Sequence, residues 1–212
     1  MLELRGRLKE AQVAASTSES SGAASDSVDV AKPALIGLLI IQLVIGYEWL
    51  TSGITKVASG DFASGLAADL KGESGDTASW YKSLLDGTVI PNGRLFGVLI
   101  EVGEIVVGVA LIGAALIWLF GWSRLSERWR VTILVVTMLA ALGGIFMAIN
   151  FHLASGANHP WLIPKEGFDE TIDVDAVLIL FQLVILGFCG YVLRQMTRRH
   201  GAAAASPIRG TS

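Results

Sequence analysis

The sequence predicts an all-α fold, a four-helix transmembrane bundle with both termini cytoplasmic, and three observations carry that prediction. The 212 residues are 52% hydrophobic and 17% charged, with a mean hydropathy of +0.58, whereas a soluble domain carries about 25% charge. Four apolar runs are each long enough for a hydrocarbon core of ~30 Å, which takes roughly 20 helical residues. Lys and Arg gather on alternate connections, as they do when a chain crosses a bilayer repeatedly. The spans leave too little sequence for a separate soluble catalytic domain of ordinary size.

Residues 1–32 are rich in Ser, Ala, Glu and Asp, which buries too little to offset ordering entropy, and they read as a disordered cytoplasmic tail. They lack the early apolar region of a cleavable signal, so the first span is expected to be retained. The membrane domain is expected over 33–196. Its first helix covers 33–57 (ALIGLLIIQLVIGYEWLTSGITKV), with Pro33 in its first turn. A long connection, 58–92, leads to the second helix at 93–120, and the short turn GWSRLSERWR leads to the third at 131–154. The loop SGANHPWLIPKEGFDETID precedes the fourth at 174–196, and 197–212 read as a disordered basic tail. Trp118, Trp122 and Trp129 bracket the short turn as an interfacial aromatic belt does. Arg5, Arg7, Lys9 and Lys32, then Arg124, Arg128 and Arg130, then Arg194, Arg198, Arg199 and Arg209 fall on one side of this topology. The positive-inside rule makes that side cytoplasmic and places the two longer loops outside, in a multi-pass protein of a bacterial or archaeal cell membrane.

Composition also excludes. One cysteine, Cys189, rules out an intramolecular disulfide framework, a zinc ribbon and a CxxC relay. A net charge of -3 offers no general attraction for nucleic acid. No glycine-rich phosphate loop or Ser/His/Asp grouping is present. A carboxylate-bridged metal pair would want Glu-x-x-His elements on facing helices; Glu101 and Glu104 form Glu-x-x-Glu, so no metal is expected.

The informative residues are those that interrupt apolar helices. Glu48 lies in the first, Glu101 and Glu104 in the second, and Asn150 and His152 near the end of the third. An ionisable group in a span costs at least ~2.5–3.5 kcal/mol, so each calls for a partner or a polar cavity. At 1.5 Å per residue, Glu48 is about 13 Å below the outer end of its helix, and Glu101 and Glu104 are about 12 and 16 Å below theirs. The three carboxyls are therefore expected at one level, facing one another. Glu48, Ser52 and Lys56 are spaced by fours, while Glu101 and Glu104 share a face with Gly97 and Gly108, which permit close helix approach. The pattern predicts a polar pocket in the outer half of the bundle, with Glu48, Glu101 and Glu104 as proton-exchanging groups. Lys56, Arg94, Asn150 and His152 are candidate substrate-binding residues. Two structural readings compete: a Glu48–Lys56 ion pair, and a hydrogen-bonded cluster of Glu101 and Glu104 that serves packing alone. In the first outer loop, Trp80, Leu84 and Leu85 form an amphipathic stretch suited to the membrane surface.

YEWLTSGITKV in the first helix, PNGRLFGVLIEVGEIVVGVALIGA in the second and MAINFHLASGANHPW after the third resemble the DoxX/DoxD family, whose DoxD members form the membrane subunit of thiosulfate:quinone oxidoreductase. The likeness covers about residues 34–195. Glu48, Ser52, Gly53, Lys56, Glu101, Glu104, Asn150, Gly156 and Pro160 match the family pattern. The resemblance implies a four-helix membrane protein that passes electrons to a quinone beside a second protein subunit. Its alternative implication is a non-catalytic scaffold that recruits soluble redox or oxidative-stress proteins. With one cysteine and no cofactor motif, the chain departs from what autonomous redox catalysis requires, because electrons need an acceptor held next to the donor.

Overall fold

A computed structural model describes residues 31–73, 77–155 and 174–204. The described residues are almost entirely helical, and none lies in a strand. The chain forms two compact units, Met1–Ile36 and Gly37–Ser212; of the first, the described residues are only the opening turns of a helix, and the fold below is that of the second. The elements are α1 (Ala31–Ser59), α2 (Phe62–Glu73), α3 (Ser79–Leu84), α4 (Gly93–Phe120), α5 (Glu127–Ala154) and α6 (Val174–Ala204). A π-helical turn, Leu85–Val89, and a 3-10 turn, Ile90–Asn92, join α3 to α4. Among the described residues four helical stretches are long and apolar enough to cross a membrane: Leu35–Ser59, Ser79–Phe120, Glu127–Ala154 and Val174–Arg198. Their outward faces are apolar, with Val102, Val106 and Val109 on α4 and Leu139 and Phe146 on α5 all more than half exposed. Such a surface suits lipid rather than water.

The four expected spans are thus present: α1, α4 and α5 lie within four residues of their expected ends, while the second apolar stretch begins 14 residues early, at Ser79, because helical turns lead into α4. The fourth runs further than expected, since residues 197–204 continue α6. Residues 1–30 of the expected tail, the loop holding Gly156, Pro160 and Trp161, and residues 205–212 lie outside the described residues, while Ala31 and Lys32, expected in the tail, open α1.

The largest departure is the connection 58–92, which is helical for most of its length. Gly60 follows α1 with φ +73°, a conformation only glycine adopts readily, and the chain turns and re-enters helix two residues later, at Phe62. Helix α2 then continues along the same neighbour as α1. Leu50 packs on Gly108, Gly53 on Ile105, and, beyond the break, Ala63 on Gly97 and Ala67 on Gly93. Together α1 and α2 therefore make one antiparallel track along α4. Its register puts residues near Val57 level with the turn around Glu101, not with Gly93. The equal-depth reading of Glu48, Glu101 and Glu104 assumed that α1 and α4 end together, and the track corrects it.

Three apolar clusters hold the bundle. The central one joins Ile45 and Trp49 of α1 to Val107 and Leu111 of α4, Ala140 and Ala148 of α5 and Leu178 and Ile179 of α6. A second, near the α2 end, packs Leu66 and Leu70 of α2 on Tyr81, Leu85 and Ile90. The third, at the opposite end, holds Leu134, Ala141, Ile185 and Cys189, with Trp118 and Trp122 stacked at 3.6 Å between centroids beside it. In the amphipathic stretch of α3, Tyr81 and Leu85 face the bundle, whereas Trp80 and Leu84 are exposed. Tyr81 is pinned as well as packed, its hydroxyl donating to Asn150 Oδ1 at 3.0 Å. A Tyr81→Phe substitution keeps the ring and removes that bond, so we expect a loss of about 1 kcal/mol in detergent unfolding titrations. No change would mean that α3 is held by its apolar contacts alone.

Candidate functional site

The continuous track decides which polar groups meet. Lys56, in the last turn of α1, points across to α4, where its Nζ lies 2.7 Å from Glu104 Oε1 and 2.8 Å from Oε2. One turn back on α1, Ser52 Oγ accepts a third hydrogen bond from the same ammonium at 2.7 Å. These acceptors match the three N–H donors of a lysine. The glutamate is fully buried, while the lysine side chain keeps 24% of its exposure. Two aromatic rings flank the cation, Phe62 of α2 at 5.3 Å and Phe151 of α5 at 5.7 Å from ring centre to nitrogen, within cation–π range. Four elements thus converge on one buried ion pair: α1, α2, α4 and α5.

The exposed side of Lys56 opens onto a cavity of about 440 Å³ in the angle between α1 and α2. Thr55, Ser59 and Phe62 line it, together with two carboxylates, Asp61 and Asp69. Lys56 is the cationic side chain among the residues that line it. A mouth of that composition suits a neutral hydrogen-bonding ligand better than a dianion, since like charges near the opening repel.

The other sequence-predicted residues take different places. Glu101 is one helical turn from Glu104 on the cavity-end side, half-buried, and its charge acts on that of Glu104. Glu48 does not join them. It lies eight residues before Lys56, about 12 Å along the axis, and it is exposed. It is two residues from both Gly46 and Leu50, which touch α4, so it sits about 200° around the helix from each. The expected convergence of Glu48 with Glu101 and Glu104 is therefore corrected, and the Glu48–Lys56 pair is replaced by Glu104–Lys56. Arg94 is exposed near the start of α4, ten residues (about 15 Å) from Glu104. Asn150 serves α3, accepting from Tyr81 and donating through Nδ2 to the Phe146 carbonyl at 2.7 Å. His152 is buried in the last turn of α5, next in sequence to the Phe151 ring that faces Lys56.

Sequence reasoning missed Phe62, Asp61 and Asp69, because it read the stretch after residue 57 as a loop. The alternation of Phe62, Leu66 and Leu70 at helical spacing was the available signal. Among the described residues no group of three His, Cys, Asp or Glu side chains is placed to hold a metal ion. Comparison with protein-family models, with curated proteins and with solved structures finds no match.

Proposed function

We propose that this chain is a multi-pass cell-membrane protein of the DoxX/DoxD type, a subunit of a quinone-linked oxidoreductase, and that the cavity beside Lys56 receives the quinone headgroup. The observation that carries this reading is the Lys56–Glu104 pair, buried on its glutamate side and open on its lysine side to a cavity of about 440 Å³. Reduction of a quinone places negative charge on a carbonyl oxygen and then takes up protons. An ammonium group supplies both the charge and a proton donor at that oxygen. In the resting arrangement the Lys56 donors are engaged by Ser52 and Glu104, so binding exchanges one of those bonds for the ligand carbonyl. Neither carboxylate holds a spare proton in the ion pair, so Glu104, with Glu101 one turn away, serves as a relay that takes up a proton from water in the cavity and passes it to the Lys56 amine. Phe62 and Phe151 give the neutral ring an apolar wall. The acidic mouth formed by Asp61 and Asp69 disfavours an anionic donor such as thiosulfate, so in this reading its oxidation belongs to a partner subunit. The side holding the short α4–α5 turn is cytoplasmic, by its Arg124, Arg128 and Arg130.

The direct test is binding. Decylubiquinone added to the detergent-solubilised chain is expected to quench tryptophan fluorescence saturably. Lys56→Met, with its helix content verified by circular dichroism, is expected to weaken the apparent affinity at least tenfold. Non-saturable quenching, or equal affinity in the variant, overturns the assignment.

A further inference from the structure

The face of α1 turned away from the bundle carries two polar groups at a depth where lipid offers them nothing. We propose that this face is the contact between two copies of the chain, with Tyr47 of each copy donating a hydrogen bond to Glu48 of the other.

Both residues lie near the middle of the Leu35–Ser59 span, Glu48 eleven residues, or about 16 Å, from its nearer end. A carboxylate there is too deep for its short side chain to reach water. Tyr47 is 64% exposed and Glu48 is exposed. Among the described residues neither the Tyr47 hydroxyl nor the Glu48 carboxylate has a hydrogen-bond or ion-pair partner; what bonds reach these two residues from a side chain come from Thr51 Oγ1, to their backbone carbonyls. Exposed Ile40, Val44, Tyr47 and Ile54, with Thr51 between the last two, recur at steps of four and three. That spacing keeps one seam against a parallel helix.

A second copy is the occupant these groups fit. A two-fold axis along the membrane normal brings identical residues together at identical depth, and its contacts are reciprocal. Adjacent donor and acceptor on one face therefore meet acceptor and donor on the other, satisfying both pairs. A different helix would have to bring its own polar groups to the same depth.

The test is cross-linking in native membranes. The lone thiol is removed (Cys189→Ala), a new one is placed on the seam (Val44→Cys), and the membranes are oxidised. A matching Val106→Cys chain on the exposed outer face of α4 reports random collision. A covalent dimer at position 44 at least fivefold above that at 106 is expected. Adding Glu48→Gln, which retains an acceptor, is expected to leave the yield unchanged, and Tyr47→Phe with Glu48→Leu to lower it to the collision level. A dimer yield at 44 no greater than at 106, an adduct with a chain of different mass, or full cross-linking in the Tyr47→Phe/Glu48→Leu variant overturns the proposal. Correct folding of that variant is read from retained decylubiquinone binding or, should that assay be silent, from its unfolding midpoint.

Discussion

Replacing Glu104 by leucine is expected to lower stability by about 1–3 kcal/mol, because it takes the counter-charge and two of three hydrogen bonds from a Lys56 ammonium that keeps only Ser52 and its partial exposure to the cavity. Burying a charge is tolerated when a counter-charge and hydrogen bonds replace its water, and Glu104 supplies the counter-charge through both oxygens. Lys56→Met is expected to be as damaging or more so, since the glutamate it abandons is fully buried whereas the lysine is not. The informative variant is the double one. Lys56→Met with Glu104→Leu removes both charges from a site already lined by Phe62 and Phe151, and it is expected to recover most of the loss. Urea unfolding in detergent, followed by circular dichroism, checks all three. If the singles unfold with the wild type, the carboxylate is reached by water and the site is not the one described. If the double variant is stable yet quinone binding is absent, the pair is retained for its chemistry rather than for its contribution to packing.

The second large effect is expected at Gly108. A Cβ there would lie 2.6 Å from the backbone nitrogen of Leu50 and 2.7 Å from its Cα. Those are main-chain atoms of a packed helix and cannot turn aside as a side chain would. Gly108→Val must therefore push α1 away from α4, at about 1–3 kcal/mol for an overpacked contact. The displacement propagates, since Gly53 meets Ile105 in the same groove and Lys56 follows on the next turn. Ligand affinity in the Lys56 cavity is expected to fall along with stability, although Gly108 lines no part of it. Gly113→Val, where nothing lies within 4 Å of a Cβ, is the control and is expected to leave both unchanged. Equal behaviour of the two variants would show that α1 and α4 do not approach as closely as described.

The four spans were readable because their signal is additive: apolar residues sustained over twenty or more positions identify a crossing whatever surrounds them. The same uniformity hides orientation. In water an amphipathic stripe points a helix, but lipid is as apolar as the bundle interior, so the pattern around Glu48 does not say whether it faces a neighbour or a lipid chain. The sequence singled out Glu104 as a residue out of place in an apolar helix and Lys56 as a candidate substrate-binding residue at the end of another. It did not pair Lys56 with Glu104, because partners across helices could be placed only by matching helix ends by assumption. The deciding feature is Gly60, which lets α2 resume the path of α1, with the register on α4 shifted by about eight residues from the one that matched helix ends imply.

What the sequence by itself determined is therefore the inventory: helices, spans, the scarcity of thiols, and the few polar groups that an apolar span must accommodate. Which of those groups meet was decided only by the tertiary structure. Depth and rotation of one helix against another depend on close contacts such as Leu50 on Gly108 and Ala67 on Gly93, between residues far apart in the chain. Local periodicity carries no information about those contacts, and the site exists only because they set Lys56 opposite Glu104.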